Sequence, residues 1–236
     1  MKILVNCSTL VSGGGIQVGL GFIKASRSFP AEHEFFYLVS KPIYRNLPKE
    51  IRESNRIIIV DKSPGSIAGW MSFISVAREA YKYFKPDLVY SVGYPSYYKF
   101  CCPEIGRYTN PWEFFPEPLP WGTIRPPVKR LLFHVACAIR RVFAKSAIHI
   151  ETQTTFAKHS ISNKLNMSLD RISVIPNSIS QEFYELHEML SIGSLVDKSL
   201  CDNVYAFCLA ADHPHKNLNI IPQVCASILR KYHLRI

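Results

Sequence analysis

Short apolar runs rich in β-branched residues alternate with longer stretches of helical periodicity along most of the chain. This alternation is typical of βαβ units, and several runs are apolar throughout, as in strands covered on both faces. The predicted strands are Lys2–Asn6, Phe35–Val39, Arg56–Val60, Asp87–Val92, Ile105–Thr109, Ala147–Glu151, Ile172–Ile175 and Val204–Leu209. The predicted helices are Ile16–Ser28, Ile67–Phe84, Val128–Lys145, Thr155–Leu165 and Asn217–Tyr232. We therefore predict an α/β fold in which helices flank a parallel sheet.

Two segments interrupt this alternation of predicted strands and helices, and they suggest the domain boundaries. Residues 110–127 contain six prolines and four large aromatic residues, so we expect an ordered loop at best. Residues 181–203 are more polar, and we interpret them as a linker. The predicted domains are residues 1–180 and, after this linker, the start of a second domain over 204–236. A single βα pair cannot bury both of its faces, so we expect the second domain to be incomplete.

Composition narrows the function classes. The chain has 236 residues, of which 47% are apolar, and 28 Lys and Arg against 18 Asp and Glu give a net charge of +10. A positive chain can bind phosphates, an anionic membrane or nucleic acid. Its charge is not clustered on a recognisable reading helix and no RRM, KH or zinc-finger signature occurs, so we expect no nucleic-acid partner. Seven scattered cysteines and the lack of a spanning apolar window predict a cytoplasmic protein, with peripheral membrane association left open.

A glycine-rich motif follows the first predicted strand, where residues 12–16 read Ser-Gly-Gly-Gly-Ile. Glycines let a ligand approach the backbone closely, and the free N–H groups of a helix N-terminus attract anions. The dinucleotide fingerprint is not met, because Val18 stands at its last glycine position, and no Walker lysine follows. A tight turn without a ligand is the alternative, but the position after a strand favours a phosphate or sugar contact.

Polar turns follow three later strands. Gln153 and Asn177 stand in two of them, and each turn could form without any ligand. The third turn, residues 213–218, reads His-Pro-His-Lys-Asn-Leu. Lys216 beside free helix N–H groups suits a diphosphate, with simple solvent exposure as the alternative. The two histidines lack a third ligand, so we expect no metal site.

A basic amphipathic helix is predicted within a stretch that contains no carboxylate between Glu117 and Glu151. Its apolar residues recur at helical spacing and form one stripe. We favour a helix whose stripe packs on the sheet and whose basic face lies in solvent. It could also lie on anionic lipid. The membrane-facing candidates are Lys129, Arg130, Arg140, Arg141, Trp112 and Trp121.

The order of these motifs resembles the GT-B fold retaining glycosyltransferases of family four (group one). The similarity runs from the first strand and the glycine motif through residues 152–158 and 172–178 to residues 214–218. It covers essentially the whole chain but only the first part of the family's pattern. The resemblance therefore implies a Rossmann-like N-terminal domain followed by the first βα unit of a truncated, Rossmann-like donor domain.

The resemblance implies sugar transfer with retention from a UDP- or GDP-sugar to a saccharide or lipid-linked acceptor, in surface polysaccharide biosynthesis. It implies no cofactor and no essential metal. The residues near the donor phosphates and the transferred sugar would be Gly13, Gly14, Gly15, Lys216 and Asn217, and Lys216 would stabilise the leaving diphosphate. The polar residues of the cleft or acceptor side would be Thr109, Asn110, Gln153 and Asn177.

Departures from the family pattern limit the assignment of activity. Many relatives carry a histidine where this chain has Thr109 and Asn110, and no glutamate follows Glu188 to supply the family's later donor-binding motif. We therefore assign no catalytic residue and expect this chain alone to be inactive. The alternatives left open are a non-catalytic remnant, a split-enzyme subunit that needs a complementing chain, and a peripheral membrane-binding module.

Overall fold

The structure, a computed structural model, describes residues 1–109, 112–114, 126–177, 208 and 218–232. The chain divides into two compact units. The first unit comprises residues 1–118 and 126–177, and the second comprises residues 119–125 and 178–236. The predicted domain boundaries at residues 180 and 203 lie outside the described residues and stay a prediction.

The first unit contains a sheet of seven parallel strands in the order β3-β2-β1-β4-β5-β6-β7. The strands are β1 (Lys2–Cys7), β2 (Glu34–Ser40), β3 (Ile57–Val60), β4 (Leu88–Ser91), β5 (Glu104–Tyr108), β6 (His149–Thr152) and β7 (Ile172–Val174). Each corresponds to a predicted strand. The remaining prediction, Val204–Leu209, lies outside the described residues except for Cys208.

Seven α-helices occur in the described residues. They are α1 (Gly14–Ala25), α2 (Lys41–Asn46), α3 (Lys49–Arg52), α4 (Ile67–Phe84), α5 (Pro127–Ala144), α6 (Thr155–Leu165) and α7 (Ile221–Tyr232). Five correspond to predicted helices, whereas α2 and α3 are too short to show a helical period in the sequence. Side-chain caps fix two helix starts: the Ser66 hydroxyl accepts from the Gly69 N–H at 3.1 Å, and the Thr154 hydroxyl accepts from the Ala157 N–H at 3.1 Å.

Alternation of side chains along the strands divides the core of the first unit between the two faces of the sheet. Val5 and Val39 on one face pack with Leu20 of α1 and Ile43 of α2. The neighbouring Leu4 lies on the opposite face with residues of α4. On that same face the strands β5 to β7 form a further cluster with α6, which includes the buried residues Tyr108, Ile150, Ile161 and Ile172. The helices therefore flank the sheet on both sides, as predicted.

The apolar stripe of α5 faces outward, so the favoured prediction that it packs on the sheet is wrong. Six apolar side chains of this helix are between 47% and 71% exposed: Val128, Leu131, Leu132, Val135, Ile139 and Val142. The helix is held instead through small buried residues, Cys137 and Ala144. Helical spacing correctly identified the stripe, but it contains no information about which side of a helix meets the rest of the protein.

The proline-rich segment begins with one regular turn. Residues Trp112–Phe114 form a 3₁₀ helix, whereas the sequence predicted no regular element there. Phe114 is buried against Tyr108, and the Tyr108 hydroxyl donates to the Glu113 carboxylate. These two contacts attach the start of the segment to the end of β5.

Candidate functional site

The candidate site residues of the first unit lie at one edge of the sheet. In a parallel sheet all strands end at the same edge, and Thr109 follows β5, Gln153 follows β6, and Asn177 lies three residues after β7. Gly13 follows β1, which is separated from β5 by one strand. At about 4.8 Å per strand, the end of β1 lies roughly 10 Å from β5 and roughly 19 Å from β7. The predicted polar residues therefore form two groups along this edge.

The glycine motif forms the N-terminus of α1. Gly13 has φ of 59°, a conformation that favours glycine, and among the described residues no side chain caps the helix. A Cβ atom on Gly15 would lie 3.2 Å from the Leu10 side chain, so packing accounts for that glycine. A Cβ atom on Gly14 would meet no described atom within 4 Å, and its φ is not positive. The described residues therefore give a reason for Gly13 and Gly15 but none for Gly14.

Neighbouring strands hold the loop that leads into this motif. The Ser40 hydroxyl, at the end of β2, donates to the Leu10 carbonyl at 2.5 Å. The Thr9 hydroxyl donates to the Gly93 carbonyl, just after β4, also at 2.5 Å. Within the described residues the Ile16 N–H donates to the Gly13 carbonyl at 3.1 Å, so a braced loop presents the N–H groups of Gly14 and Gly15. Such an arrangement can bind an anion without prior reorganisation.

A chain of buried hydrogen bonds between side chains of β1, β4 and β5 also supports this loop. The Asn6 amide donates to the Ser91 hydroxyl at 3.2 Å, and this hydroxyl donates to the Glu104 carboxyl at 2.6 Å. The Asn6 side-chain oxygen accepts from the Ser8 hydroxyl at 2.7 Å. Burial raises the pKa of Glu104 to about 7. The sequence analysis did not identify Glu104 as a buried residue. Its position directly before a predicted strand is a signal that could have found it.

A second polar cluster lies on the opposite face of β4 to β6. The Arg107 guanidinium donates to the Glu151 carboxylate at 3.4 Å, and the Tyr90 hydroxyl donates to the same carboxylate oxygen at 2.6 Å. The ring of Phe22, on α1, stacks on Tyr90 with centroids 4.6 Å apart. Sequence reasoning missed this cluster as well, although a charged residue within a predicted strand, such as Arg107, is an available signal.

The remaining predicted site residues are placed only in part. Asn110, Trp121, Lys216 and Asn217 lie outside the described residues, as do the side chains of Trp112 and Lys129. Arg130 is exposed. Arg140 and Arg141 are half-buried and bound to the protein: Arg140 donates to the Tyr97 hydroxyl at 3.0 Å, and Arg141 donates to the Glu113 carbonyl at 3.2 Å.

Within the described part of the chain, no group of three or more His, Cys, Asp or Glu side chains is arranged to hold a metal ion. None of the helices in those residues is both long and apolar enough to cross a bilayer.

No protein-family model matches the sequence, and no curated protein matches it significantly. Among solved structures, the UDP-GlcNAc 2-epimerase from Methanocaldococcus jannaschii aligns with 100% of this chain and 64% of that one, with TM-score 0.52 and 13% identity. Anabaena HepE, solved with UDP and glucose, aligns with 94% of this chain and 58% of that one, with TM-score 0.48 and 14% identity. This chain therefore spans less than two thirds of either structure.

At such low identity the alignment with the epimerase establishes the fold alone. The predicted fold class is confirmed for the described residues of the first unit: an all-parallel, Rossmann-like α/β sheet with flanking helices. The fold of this epimerase is of the GT-B type.

Proposed function

We propose that this chain is a polypeptide of a GT-B glycosyltransferase, inactive alone, and that the complete enzyme transfers a sugar, with retention, from a nucleotide-sugar to a saccharide or lipid-linked acceptor. The observation that carries the proposal concerns Gly14, at the start of α1 on a Rossmann-like sheet. Among the described residues no side chain caps this helix, and a Cβ atom on Gly14 would meet no atom within 4 Å. A glycine that the fold does not require is accounted for if a ligand approaches the backbone there.

The chemistry of the glycine motif fits a diphosphate. The first turn of α1 presents backbone N–H groups and the positive end of the helix dipole, and the described residues of that turn include no acidic side chain. In the proposed reaction, negative charge develops on the leaving diphosphate as the glycosidic bond breaks. Lys216 and Asn217 are proposed to bind this group, with the lysine in place of a metal ion. The proposed donor is a UDP- or GDP-sugar.

Melting curves of the full chain with a panel of UDP- and GDP-sugars test the proposal. A ligand that binds only the native state raises stability by about 2.7 kcal/mol at a hundredfold excess over its Kd. A saturable rise in Tm with one nucleotide would support the proposal and identify the donor class. Cooperative melting with no shift for any nucleotide would contradict it.

Gly14→Ala is expected to weaken nucleotide-sugar binding by roughly tenfold or more without destabilising the fold. The added methyl group meets no described atom, and alanine favours a helix over glycine by about 1 kcal/mol. The methyl group would instead occupy the space through which a phosphate reaches the N–H groups. Titration calorimetry with the nucleotide-sugar found by melting measures the change in Kd.

Gly21→Ala is the matched control for this experiment. Gly21 also lies in α1, and a Cβ atom there likewise meets no described atom within 4 Å, but it is two turns from the motif. Its substitution should give a similar gain in stability and no change in Kd. If both variants bind the nucleotide-sugar as the natural chain does, Gly14 is not part of the site.

We propose further that α5 docks on an anionic membrane surface, because its apolar stripe is exposed. The exposed Arg130 and Lys145 lie near the two ends of this helix. No carboxylate occurs between Glu117 and Glu151, and the whole chain carries a charge of +10. An apolar stripe flanked by cations suits the boundary between acyl chains and anionic headgroups, where each basic residue adds about 1 kcal/mol. Such docking would bring a lipid-linked acceptor to the enzyme.

Leu131→Ser is expected to weaken binding to vesicles of equal parts phosphatidylglycerol and phosphatidylcholine by roughly tenfold. Leu131 is 65% exposed in the free protein, and its burial in lipid contributes about 1.5 kcal/mol or more. Co-sedimentation measures the partition coefficient. Tyr83→Ser, at a 70% exposed aromatic residue of α4, is the control that should bind as the natural chain does. Equal losses in both variants, or no binding by the natural chain, would contradict docking through α5.

A further inference from the structure

The Arg107 side chain holds the turn that follows β7. Its Nη2 atom donates to the carbonyls of Ile175 at 3.3 Å and Pro176 at 3.4 Å, and to the side-chain oxygen of Asn177 at 3.2 Å. The side chain is only 10% exposed, and among the described residues its Nε atom has no hydrogen-bond partner. Its position is fixed from the other side by the ion pair with Glu151.

This contact determines which end of the Asn177 amide faces outward. A guanidinium group has only donors, so the atom that it contacts must be the amide oxygen. The Nδ2 atom is therefore turned away from Arg107. Asn177 is exposed, and within the described residues its Nδ2 atom has no acceptor. Two hydrogen-bond donors are thus presented at the carboxyl end of β7.

The Arg107 cation beside these donors is paired. The charge of Arg107 is matched by Glu151, and its Nη2 atom is engaged by oxygen atoms of the turn. The predicted polar residues that follow β5, β6 and β7 are Thr109, Gln153 and Asn177, and all three are exposed or half-exposed. Amides and hydroxyls beside a paired cation suit the hydroxyl groups of a sugar, whereas a phosphate would be bound by the N–H groups of the glycine motif.

We propose that Arg107 is a positioning residue that holds Asn177 as a hydrogen-bond donor to a saccharide hydroxyl at the ends of β5 to β7. The inference rests on the proposed function, because it places a saccharide next to the nucleotide-binding edge. Arg107 itself does not touch the saccharide. It acts by fixing the backbone turn and the orientation of one side-chain amide.

Side-chain amide signals in NMR spectra of the ¹⁵N-labelled full chain test this proposal. The probes are the methyl glycosides of glucose, galactose, mannose and N-acetylglucosamine, with UDP as a separate probe. At least one glycoside is expected to shift the Nδ2 signals of Asn177, while the backbone amide signal of Gly14, which follows β1, four strands from β7, stays unchanged. UDP is expected to shift Gly14 and not Asn177. If the proposed nucleotide site is wrong, UDP leaves the Gly14 signal unchanged. If the proposed saccharide contact is wrong, the glycosides leave the Asn177 signals unchanged, so the two failures can be told apart.

Arg107→Lys is expected to release Asn177 and to weaken glycoside binding by roughly three- to tenfold, the value of one neutral hydrogen bond. Lysine keeps the charge opposite Glu151 but lacks the planar fork that spans the turn. Asn177→Asp is expected to keep the turn ordered, since a carboxylate still accepts from Arg107, and to weaken glycoside binding equally. In the double variant the losses should not add, because both substitutions remove the same donor.

Tyr90→Phe is the matched control. It removes the hydrogen bond to Glu151 at the far side of the cluster but leaves every contact between Arg107 and the turn. It should leave the Asn177 signals and the glycoside affinity unchanged. The proposal is overturned if no glycoside in the panel shifts the Asn177 signals, or if Arg107→Lys and Tyr90→Phe weaken binding to the same extent.

Discussion

Glu104→Gln is expected to stabilise the protein at pH 8 by about 3 kcal/mol and to leave its stability at pH 4.5 nearly unchanged. Glu104 is 3% exposed, and it accepts a hydrogen bond from the Ser91 hydroxyl at 2.6 Å. Burial raises the pKa of this carboxyl group to about 7. Glutamine has nearly the same shape and keeps an oxygen acceptor for Ser91, but it cannot ionise.

The sign of the effect follows from proton linkage. In the unfolded chain Glu104 has its ordinary pKa of 4.5, whereas the folded protein retains the proton up to about pH 7. Between these values the folded state binds more protons than the unfolded state, so the free energy of unfolding falls as pH rises. The stabilisation by the bound proton is complete below pH 4.5 and is lost by the time pH has passed about 7. Because glutamine does not ionise, the Glu104→Gln variant does not lose stability as the pH rises through this range.

Urea unfolding at several pH values between 4.5 and 8 measures the difference. Glu79→Gln is the control, because Glu79 is an exposed carboxylate on α4 and its substitution should leave the pH profile of the natural chain intact. A Glu104→Gln variant whose stability runs parallel to that of the natural chain over the whole range would show that Glu104 is ionised when buried.

The regular elements of the first unit could be predicted because local pattern determines them. Helix α4 has the predicted bounds, Ile67 and Phe84, since an N-cap serine precedes it and Lys85 in the left-handed region follows it. Helix α1 begins at Gly14, two residues before the predicted start, because glycines give no apolar period. The outward stripe of α5 could not be predicted, since the side of a helix that is buried depends on contacts distant in sequence.

The candidate site was predictable only in outline. Placing Thr109, Gln153 and Asn177 at one edge required only the rule that parallel strands end together. The role of Arg107 depends on acceptors 68 to 70 residues further along the chain. Likewise, the open space around Gly14 is a property of the packed loop and leaves no mark in the sequence. Positions could therefore be predicted, but the partners of the side chains could not.

Gly106→Ala is expected to destabilise the protein by about 3 kcal/mol, the upper end of the usual cost of overpacking a core. Gly106 lies in β5, and a Cβ atom there would lie 2.4 to 2.6 Å from three ring atoms of Tyr94. That ring cannot move aside. Its hydroxyl donates to the Phe143 carbonyl at 2.8 Å, and its face meets the ring of Tyr108 edge-on with centroids 6.0 Å apart.

A double-mutant cycle with Tyr94→Leu separates this steric effect from a general weakness of glycine replacement in β5. If the collision with the ring causes the loss, removing the ring should relieve it, and the double variant should be less destabilised than the two single changes would give by addition. Gly21→Ala, where a Cβ atom meets no described atom, should instead gain stability in the same urea titration. If the two changes in the free energy of unfolding simply add, the added Cβ atom does not collide with the Tyr94 ring. Gly106 would then be needed for another reason.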